Sequence, residues 1–278
     1  MPSDHGTPQL FDRRAVRLHR ERAAAGLAEH DFLLRAVGQG LLERLTETTR
    51  HFPLALDLGC HDGTLAKLLA ERDDSALPAG AIGTLIQADS APAMVRAAAG
   101  HGGPALVADE EWLPIGPGKL DLVISLFALH WVNDLPGVLA QIRYALKPGG
   151  LFLAALPGGI SLAVLRDTLM EAEAATSGGV SPRVSPFVEV REAGMLLQRV
   201  GFQLPMADAD SIPIDYGDPL TALRDLRGMG EANALQQRRR GALRRDTFAQ
   251  ALQAYPRRAD GRLVAEVEVL YLTGWAPE

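Results

Sequence analysis

Apolar and polar positions follow two alternating rhythms along this chain. Leu54, Ala55, Leu56 and Leu58 form a short apolar run, the pattern of a strand buried on both faces. Asp57 interrupts the run near its end, and Gly59, Cys60, His61, Asp62 and Gly63 turn the chain. Residues 64–70 then take helical spacing. The order repeats downstream. Residues 84–88 predict a second strand closed by Asp89, 91–99 a helix, 105–108 a short third strand and 120–126 a fourth. A helix over 135–146, a stop at Lys147-Pro148-Gly149-Gly150 and a fifth strand over 151–156 follow. Five such alternations predict a parallel, doubly wound sheet. Right-handed crossovers bring the ends of strands one, two and four to one crevice.

The flanks are patterned differently. Residues 11–25 combine helical spacing with alternating charge and predict a solvated helix lying on the domain, with a basic arm touching a partner as the alternative. Residues 31–49 predict an amphipathic helix with Phe32, Leu33, Ala36, Val37, Leu41 and Leu45 on one face. After strand five, 162–175 is helical, and 177–187 (SGGVSPRVSPF) is a long loop with two Ser-Pro turns. Loops of that length often act as lids. A helix over 188–200 ends at Gly201, and 202–216 is extended with bends at Pro205 and Pro213. Residues 219–254 are loosely helical. A final strand over 264–275 puts Ala265, Val267, Val269, Tyr271 and Thr273 on one face and Glu266 and Glu268 on the other. The expected organisation is a helical cap (1–50), a cofactor-binding core (51–157), and a helical lid with C-terminal strands completing the same domain (158–278).

Composition narrows the class. The 278 residues are 47% hydrophobic and 22% charged, ordinary for a globular chain. A net charge of -6 argues against bulk nucleic-acid binding. No apolar run approaches the ~20 residues of a transmembrane segment. Cys60 is the single cysteine, which excludes an internal disulfide and a cysteine-cluster metal site. Arg13, Arg14, Arg17, Arg20 and Arg22 are interspersed with Asp4, Asp12, Glu21 and Glu29, unlike a transit peptide. The expectation is a bacterial-type cytoplasmic protein, or a mitochondrial matrix protein if the source is eukaryotic. Seven arginines between 224 and 245 face only Asp225 and Glu231. That stretch is either a solvated face or a dock for an acidic partner.

Candidate chemistry gathers at the strand ends. Gly59 and Gly63 suit positive φ and close approach to a ligand. The following helix N-terminus offers free N–H groups. Asp57 beside them suits a cationic amine or sulfonium better than a phosphate, which points to S-adenosylmethionine. Asp89 offers two acceptor oxygens to the ribose hydroxyls. It lies 26 residues beyond Gly63, more than the ~20 usual for such an acid, and the loop around Pro78 and Gly80 accounts for the excess. Asp109 would take the adenine amine and Glu110 would contribute its backbone, or either caps the next turn. Ser90 and Ser125 are placed on the cofactor side. Cys60 packs as a small apolar residue. His61 narrows the turn, points to solvent, or bonds the cofactor carboxylate. His130 and Trp131 follow strand four, where a reacting group sits. The first is a candidate base, and the second a pocket wall or a stacking surface for a guanidinium; alternatively both anchor the loop. Asn133 and Asp134 begin the next helix. No metal-ligand set is visible: His19-Arg20-Glu21 and His61-Asp62 are only fragments of one.

The five-strand order with two late strands resembles the class I S-adenosylmethionine-dependent methyltransferase fold. The likeness rests on Asp57-x-Gly59-x-His61-x-Gly63, Asp89, the stretch from Ala108 to Pro114, and Leu146-Lys147-Pro148-Gly149-Gly150. It implies a Rossmann-like, seven-stranded, mostly parallel sheet in the order 3-2-1-4-5-7-6, with added helices after strand five. A narrower set, FDRRAVRLHRERAA, FPLALDLGC, ADEEWLP, ALHWVNDLP, SPRVSPF, LRGMGEAN and YLTGW, occurs in that order. It resembles the assembly factor 5 family of NADH:ubiquinone oxidoreductase (respiratory complex I). That resemblance implies hydroxylation of an arginine on a complex I subunit as protein partner. Ser185, Phe187, Tyr216, Glu231 and Asn233 are the implied substrate side, Glu231 pairing with the arginine. Taken alone, the residues make methyl transfer the default chemistry. The alternatives are a carboxyl methyltransferase of malonyl-carrier-protein type, which shares the His-Trp stretch, and a non-enzymatic, cofactor-binding assembly chaperone.

Overall fold

A computed structural model describes residues 9–72, 81–239, 241 and 243–278. The anticipated loop at Pro78 and Gly80, and Arg240 of the arginine-rich stretch, lie outside the described residues. Helices α1 (Arg13–Ala23) and α2 (Phe32–Thr46) precede strand β1 (Phe52–Leu58). Then come α3 (Thr64–Glu71), β2 (Ile82–Asp89), α4 (Pro92–Ala98) and β3 (Ala105–Val107). Strand β4 (Leu120–Leu126), α5 (Leu135–Ala145) and β5 (Leu146–Pro157) complete the alternating part. Helices α6 (Ala163–Ser177) and α7 (Val190–Val200) lead to β6 (Gln203–Tyr216). Helices α8 (Pro219–Gly228) and α9 (Arg245–Ala254) lead to β7 (Leu263–Trp275).

The seven strands form one sheet in the order β3-β2-β1-β4-β5-β7-β6, as the sequence resemblance implied. Pairings from β3 through β5 are parallel, and β7 runs antiparallel to both β5 and β6. Period-2 alternation sends successive residues to opposite faces. Leu122, Ile124 and Leu126 of β4 pack with Leu34, Val37 and Leu41 of α2. Val123 and the β5 residues Phe152 and Ala154 pack with Val138, Leu139 and Ile142 of α5 and Leu197 of α7. Both faces of the central strands are therefore covered, which explains why those strands read as apolar runs. The register sets Asp57 beside Gln87 and Ile124, so the ends of β1, β2 and β4 open to one side.

Three expectations need correction. Helix α1 is not a solvated cylinder, since Arg20 is fully buried along with Ala15, Val16 and Ala23. The buried face of α2 contains Leu34 and Leu42, whereas Phe32 and Ala36 are exposed. A helix has two turns' worth of apolar positions to choose from, and here packing on the sheet favoured the leucine-rich stripe. Residues 219–254 are not one helical stretch: α8 stops at Gly228, and the described residues from 229 to 239 are non-helical.

Candidate functional site

Asp57, next to the last residue of β1, has both carboxylate oxygens buried and without a hydrogen-bond partner. Burial, reinforced by nearby Asp89, pushes its carboxyl up to about 8. The turn that follows depends on its glycines. Gly59 has φ of +77°, and a Cβ on it would lie 2.1 Å from the Cβ of Ala128. Gly59→Ala is therefore expected to cost about 2–4 kcal/mol, from left-handed strain plus overpacking, read as a lowered urea midpoint. His61 is left-handed too, at φ of +51°, a region that histidine tolerates better than bulkier residues. Its main-chain N–H donates to Asp89 Oδ2 at 3.2 Å. Its ring points inward, not to solvent or into the crevice: Nε2 donates to the Leu126 carbonyl at 2.9 Å. Burial and Arg20 lower its pKa, so it is neutral. Cys60 is buried and its thiol is pushed up by burial, in keeping with an apolar packing role.

Asp89 closes β2 and accepts from the Ala91 N–H at 2.8 Å. The unexpected feature is what lies across the crevice from it. Arg20 of α1 enters the site with its side chain wholly buried, its Nη1 3.2 Å from Asp89 and 2.5 Å from Glu110. Arg13, two turns earlier, joins Glu110 and donates to Asp109 at 2.7 Å and to the Trp131 carbonyl at 3.3 Å. Burial alone would raise the Glu110 carboxyl, but Arg20 and Arg13 hold it at about 2. Burial, with the Glu110 charge beside it, leaves Asp89 raised against the opposing pull of Arg20. Phe11 completes the attachment of this arm: its ring meets Trp131 edge-on at 5.3 Å, and its N–H donates to Asn133 Oδ1 at 2.8 Å.

A second cluster lies beyond the end of β4. His130 Nε2 and the Trp131 indole N–H both approach Glu231 Oε2, each at 2.8 Å. One carboxylate oxygen thus serves two ring nitrogens. Burial would raise Glu231, yet His130, with Arg20 farther off, keeps it below its ordinary value and ionised. His130 thus donates to Glu231 from Nε2, and its other ring nitrogen is Nδ1. That Nδ1 and Glu231 Oε1 are buried without partners. Phe187, at 6.1 Å from the His130 ring, Ser185 and Asn233 line the same cavity of about 350 Å³.

The anticipated residues fall into three groups. Asp57 and the turn with Gly59, Cys60, His61 and Gly63 stand at the end of β1, Asp89 and Ser90 at the end of β2, and Asp109 and Glu110 beyond β3, with the Glu110 side chain meeting Arg13 and Arg20. Ser125 does not present its hydroxyl there, since it donates to the Leu58 carbonyl at 2.7 Å and ties β4 to β1. His130, Trp131, Ser185, Phe187, Glu231 and Asn233 share the second cavity, whereas Tyr216 lies in the wall of a neighbouring one. Ser185 and Asn233 spend polar atoms on the loop itself, on the Pro186 and Pro182 carbonyls. Asp134 caps α5 by accepting from the Gly137 N–H at 2.9 Å, as expected. Arg13 and Arg20 were missed. Their signal was the spacing 13, 16, 20, 23 and 27, which sets two arginines in line with Val16, Ala23 and Leu27.

Residues 56–154 match the methyltransferase domain family. Over 97% of its length the chain is 39% identical to the human arginine-hydroxylase NDUFAF5, mitochondrial, covering 77% of that protein. The zebrafish (Danio rerio) protein of the same name is 36% identical over 96% of the chain and 83% of its own. A malonyl-[acyl-carrier protein] O-methyltransferase of Xylella fastidiosa is 34% identical over 96% of the chain and 89% of its own. Among solved structures, YcgJ of Bacillus subtilis superposes with a TM-score of 0.59 at 15% identity, covering 87% of this chain and 99% of that one. The fold is thus that of an S-adenosyl-L-methionine-dependent methyltransferase-like enzyme, and its cofactor is S-adenosyl-L-methionine. The crevice fits that group. Asp57 has two buried oxygens without partners, and Arg20 has Nε and Nη2 in the same condition; an amino-acid end carries the cation and the anion that would satisfy them. Among the described residues no helix is long and apolar enough to cross a membrane. The chain belongs to the NDUFAF5 arginine-hydroxylase family, within the class I methyltransferase superfamily.

Proposed function

We propose that the chain hydroxylates an arginine on a complex I subunit, with Glu231 receiving the guanidinium and His130 standing beside it. The oxygen atom inserted into the C–H bond comes from dioxygen, whose second atom leaves as water with two electrons from an external reductant, and not from the cofactor's methyl group. The observation that carries this reading is Glu231 Oε1, a buried oxygen without a partner on a carboxylate kept ionised. A guanidinium satisfies such an oxygen with a fork of N–H donors. His130, held through Nε2 by Glu231, lines the same cavity beside the place the guanidinium would take. Trp131 and Phe187 wall the cavity and exclude water. Asp57, the 59–63 turn, Asp89, Ser90, Asp109 and Glu110 would hold the cofactor, which supplies a sulfonium-borne methyl group when bound. The cytoplasm of a bacterium, or the matrix of a mitochondrion, belongs to the same reading. The test is mass spectrometry of complex I subunits from cells with and without the protein. One arginine heavier by one oxygen atom is expected. A methyl group there instead redirects the chemistry, and unchanged arginines overturn the reading.

A second reading rests on Arg227, which lines the same cavity and offers a cation to a carboxylate. Methyl ester formation on a malonyl carrier protein, followed with labelled cofactor, would replace the arginine reading.

The cofactor side makes its own prediction. Asp57 is protonated in the ligand-free protein below about pH 8, and a cationic amine would draw it into the ionised form. Cofactor binding at about pH 6.5 should then release one proton, and affinity should rise up to ~tenfold per pH unit before flattening near pH 8. Calorimetry in two buffers of different ionisation enthalpy reads the proton directly. Ligand-free stability takes the opposite slope. The unfolded chain loses this proton near pH 4 and the folded one near pH 8, so stability falls as pH rises between them. Asp57→Asn should remove both slopes.

A further inference from the structure

A second cavity, of about 110 Å³, lies between α6, α8, α9 and strands β6 and β7. Its wall is almost entirely carbon. Three of its residues carry polar side-chain atoms, and each is turned to a protein partner. The Thr168 hydroxyl donates to the Val164 carbonyl at 2.8 Å, and that of Tyr255 to the Val264 carbonyl at 3.1 Å. The Tyr216 hydroxyl bonds Asp225. Water finds nothing to bind there, and apolar cavities of this order stay dry and accept apolar guests. Unfilled apolar volume also costs stability, so a fold that keeps it forgoes packing it could have had.

The cavity is not isolated. Eight residues line both it and the His130–Glu231 cavity, and all eight are apolar, among them Leu33, Leu165, Leu169, Leu226 and Met229. Side by side across that common apolar wall, the two cavities present a charged end and a hydrocarbon end. A ligand that fills both carries a cation for Glu231 and, a short distance away, an apolar group the size of one ring or one branched side chain. A polypeptide provides that pairing when a bulky apolar residue lies within a few positions of an arginine. An acyl chain provides the apolar part but offers Glu231 no cation.

We infer that this cavity is a second substrate subsite, taking one bulky aliphatic or aromatic side chain that neighbours the target arginine in the partner protein. The inference rests on the arginine reading above, and it adds a sequence requirement: the arginine is recognised together with its apolar neighbour. The subsite lies under α8 and α9, so these helices select the substrate while the strand ends hold the reactive groups.

The test uses the full chain with saturating S-adenosylhomocysteine and fluorescently labelled peptides, read by anisotropy. One peptide carries arginine with leucine or phenylalanine nearby, a second replaces those neighbours with alanine, and a third keeps them but replaces arginine with glutamine. The first should bind at least about tenfold tighter than the second, as burial of one large apolar side chain implies. Ala251→Phe fills the cavity from α9 and should erase that preference while holding the thermal midpoint at or above that of the unaltered chain. Ala222→Leu, from α8, repeats the test if that variant does not fold. Equal binding of the first two peptides, with arginine still required, overturns the subsite and leaves the arginine reading standing. A preference for the apolar neighbour that survives in the glutamine peptide supports the subsite and removes the arginine reading. Displacement of the peptide by a medium-chain fatty acid, with no effect of the neighbours, overturns the subsite in favour of an acyl chain.

Discussion

Replacing Arg20 with methionine is expected to lower the stability of the ligand-free chain by about 3–5 kcal/mol, among the largest single losses available to it. Methionine preserves much of the volume, so the loss reports charge. Arg20 is wholly buried, and so are the two carboxylates its Nη1 reaches, Asp89 and Glu110. Without the guanidinium, two acids share a site from which water is excluded, and at least one must take up a proton. Glu110 would lose its larger counter-charge and retain only Arg13. The sign with pH follows. Glu110 is held below its ordinary value, so its contribution is fully present above the unfolded pKa of about 4 and fades as pH falls towards about 2. Urea denaturation of Arg20→Met, Glu110→Gln and the double variant at neutral pH closes the cycle. The double variant should recover part of the single loss, since it removes the stranded acid as well. A loss under about 1 kcal/mol in the single variant would mean that Arg20 is not the counter-charge of the site.

The sheet was legible because its information is local. A strand buried on both faces shows as an unbroken apolar run, and residues 54–56 of β1, 122–124 of β4 and 151–156 of β5 are such runs. Asp57 was legible for the complementary reason, since a carboxylate in a buried run has no packing purpose, and the glycines beside it mark a turn that needs positive φ. The electrostatics of the site were not. Arginine is ordinarily solvated, so Arg13 and Arg20 on a charged helix looked like solubility. Their partners, Asp89, Asp109 and Glu110, stand far off in the sequence, and no spacing rule reaches that far. The His130–Glu231 contact spans a separation of 101 residues and was approached only through a family likeness. The ring of His61 shows a subtler limit. The sequence places a side chain in a glycine turn, but only the Leu126 carbonyl, 2.9 Å away, decides that the ring folds inward and leaves the crevice to the cofactor. The loose pattern of residues 219–254 had a structural meaning too: it covers two short helices, α8 and α9, that both line an apolar cavity.

Glu231→Gln is expected to lower turnover on the arginine substrate by about 10²–10⁴-fold while leaving cofactor affinity nearly unchanged. Glutamine is isosteric, and its single carbonyl oxygen still accepts from His130 Nε2 and the Trp131 indole, so the fold around the cluster survives. Two things are lost. The amide nitrogen replaces Oε1, the oxygen without a partner, and presents donors to a guanidinium that has only donors. The negative charge beside the His130 ring also disappears, and with it the counter-charge that a bound guanidinium would meet. Glu231→Ala should behave differently. It leaves the His130 and Trp131 nitrogens without an acceptor, adding a stability loss of about 1–3 kcal/mol to the loss of turnover. The comparison separates charge from scaffolding: glutamine spares the thermal midpoint and abolishes chemistry, whereas alanine lowers both. Turnover is read as oxygen incorporation into arginine, and integrity of the cluster as the emission of Trp131, which packs against Phe11 and His130. A Glu231→Gln enzyme that turns over like the unaltered chain would show that the guanidinium is received elsewhere. The next candidate acid would then be Asp57, whose two oxygens are equally without partners but lie on the cofactor side of the crevice.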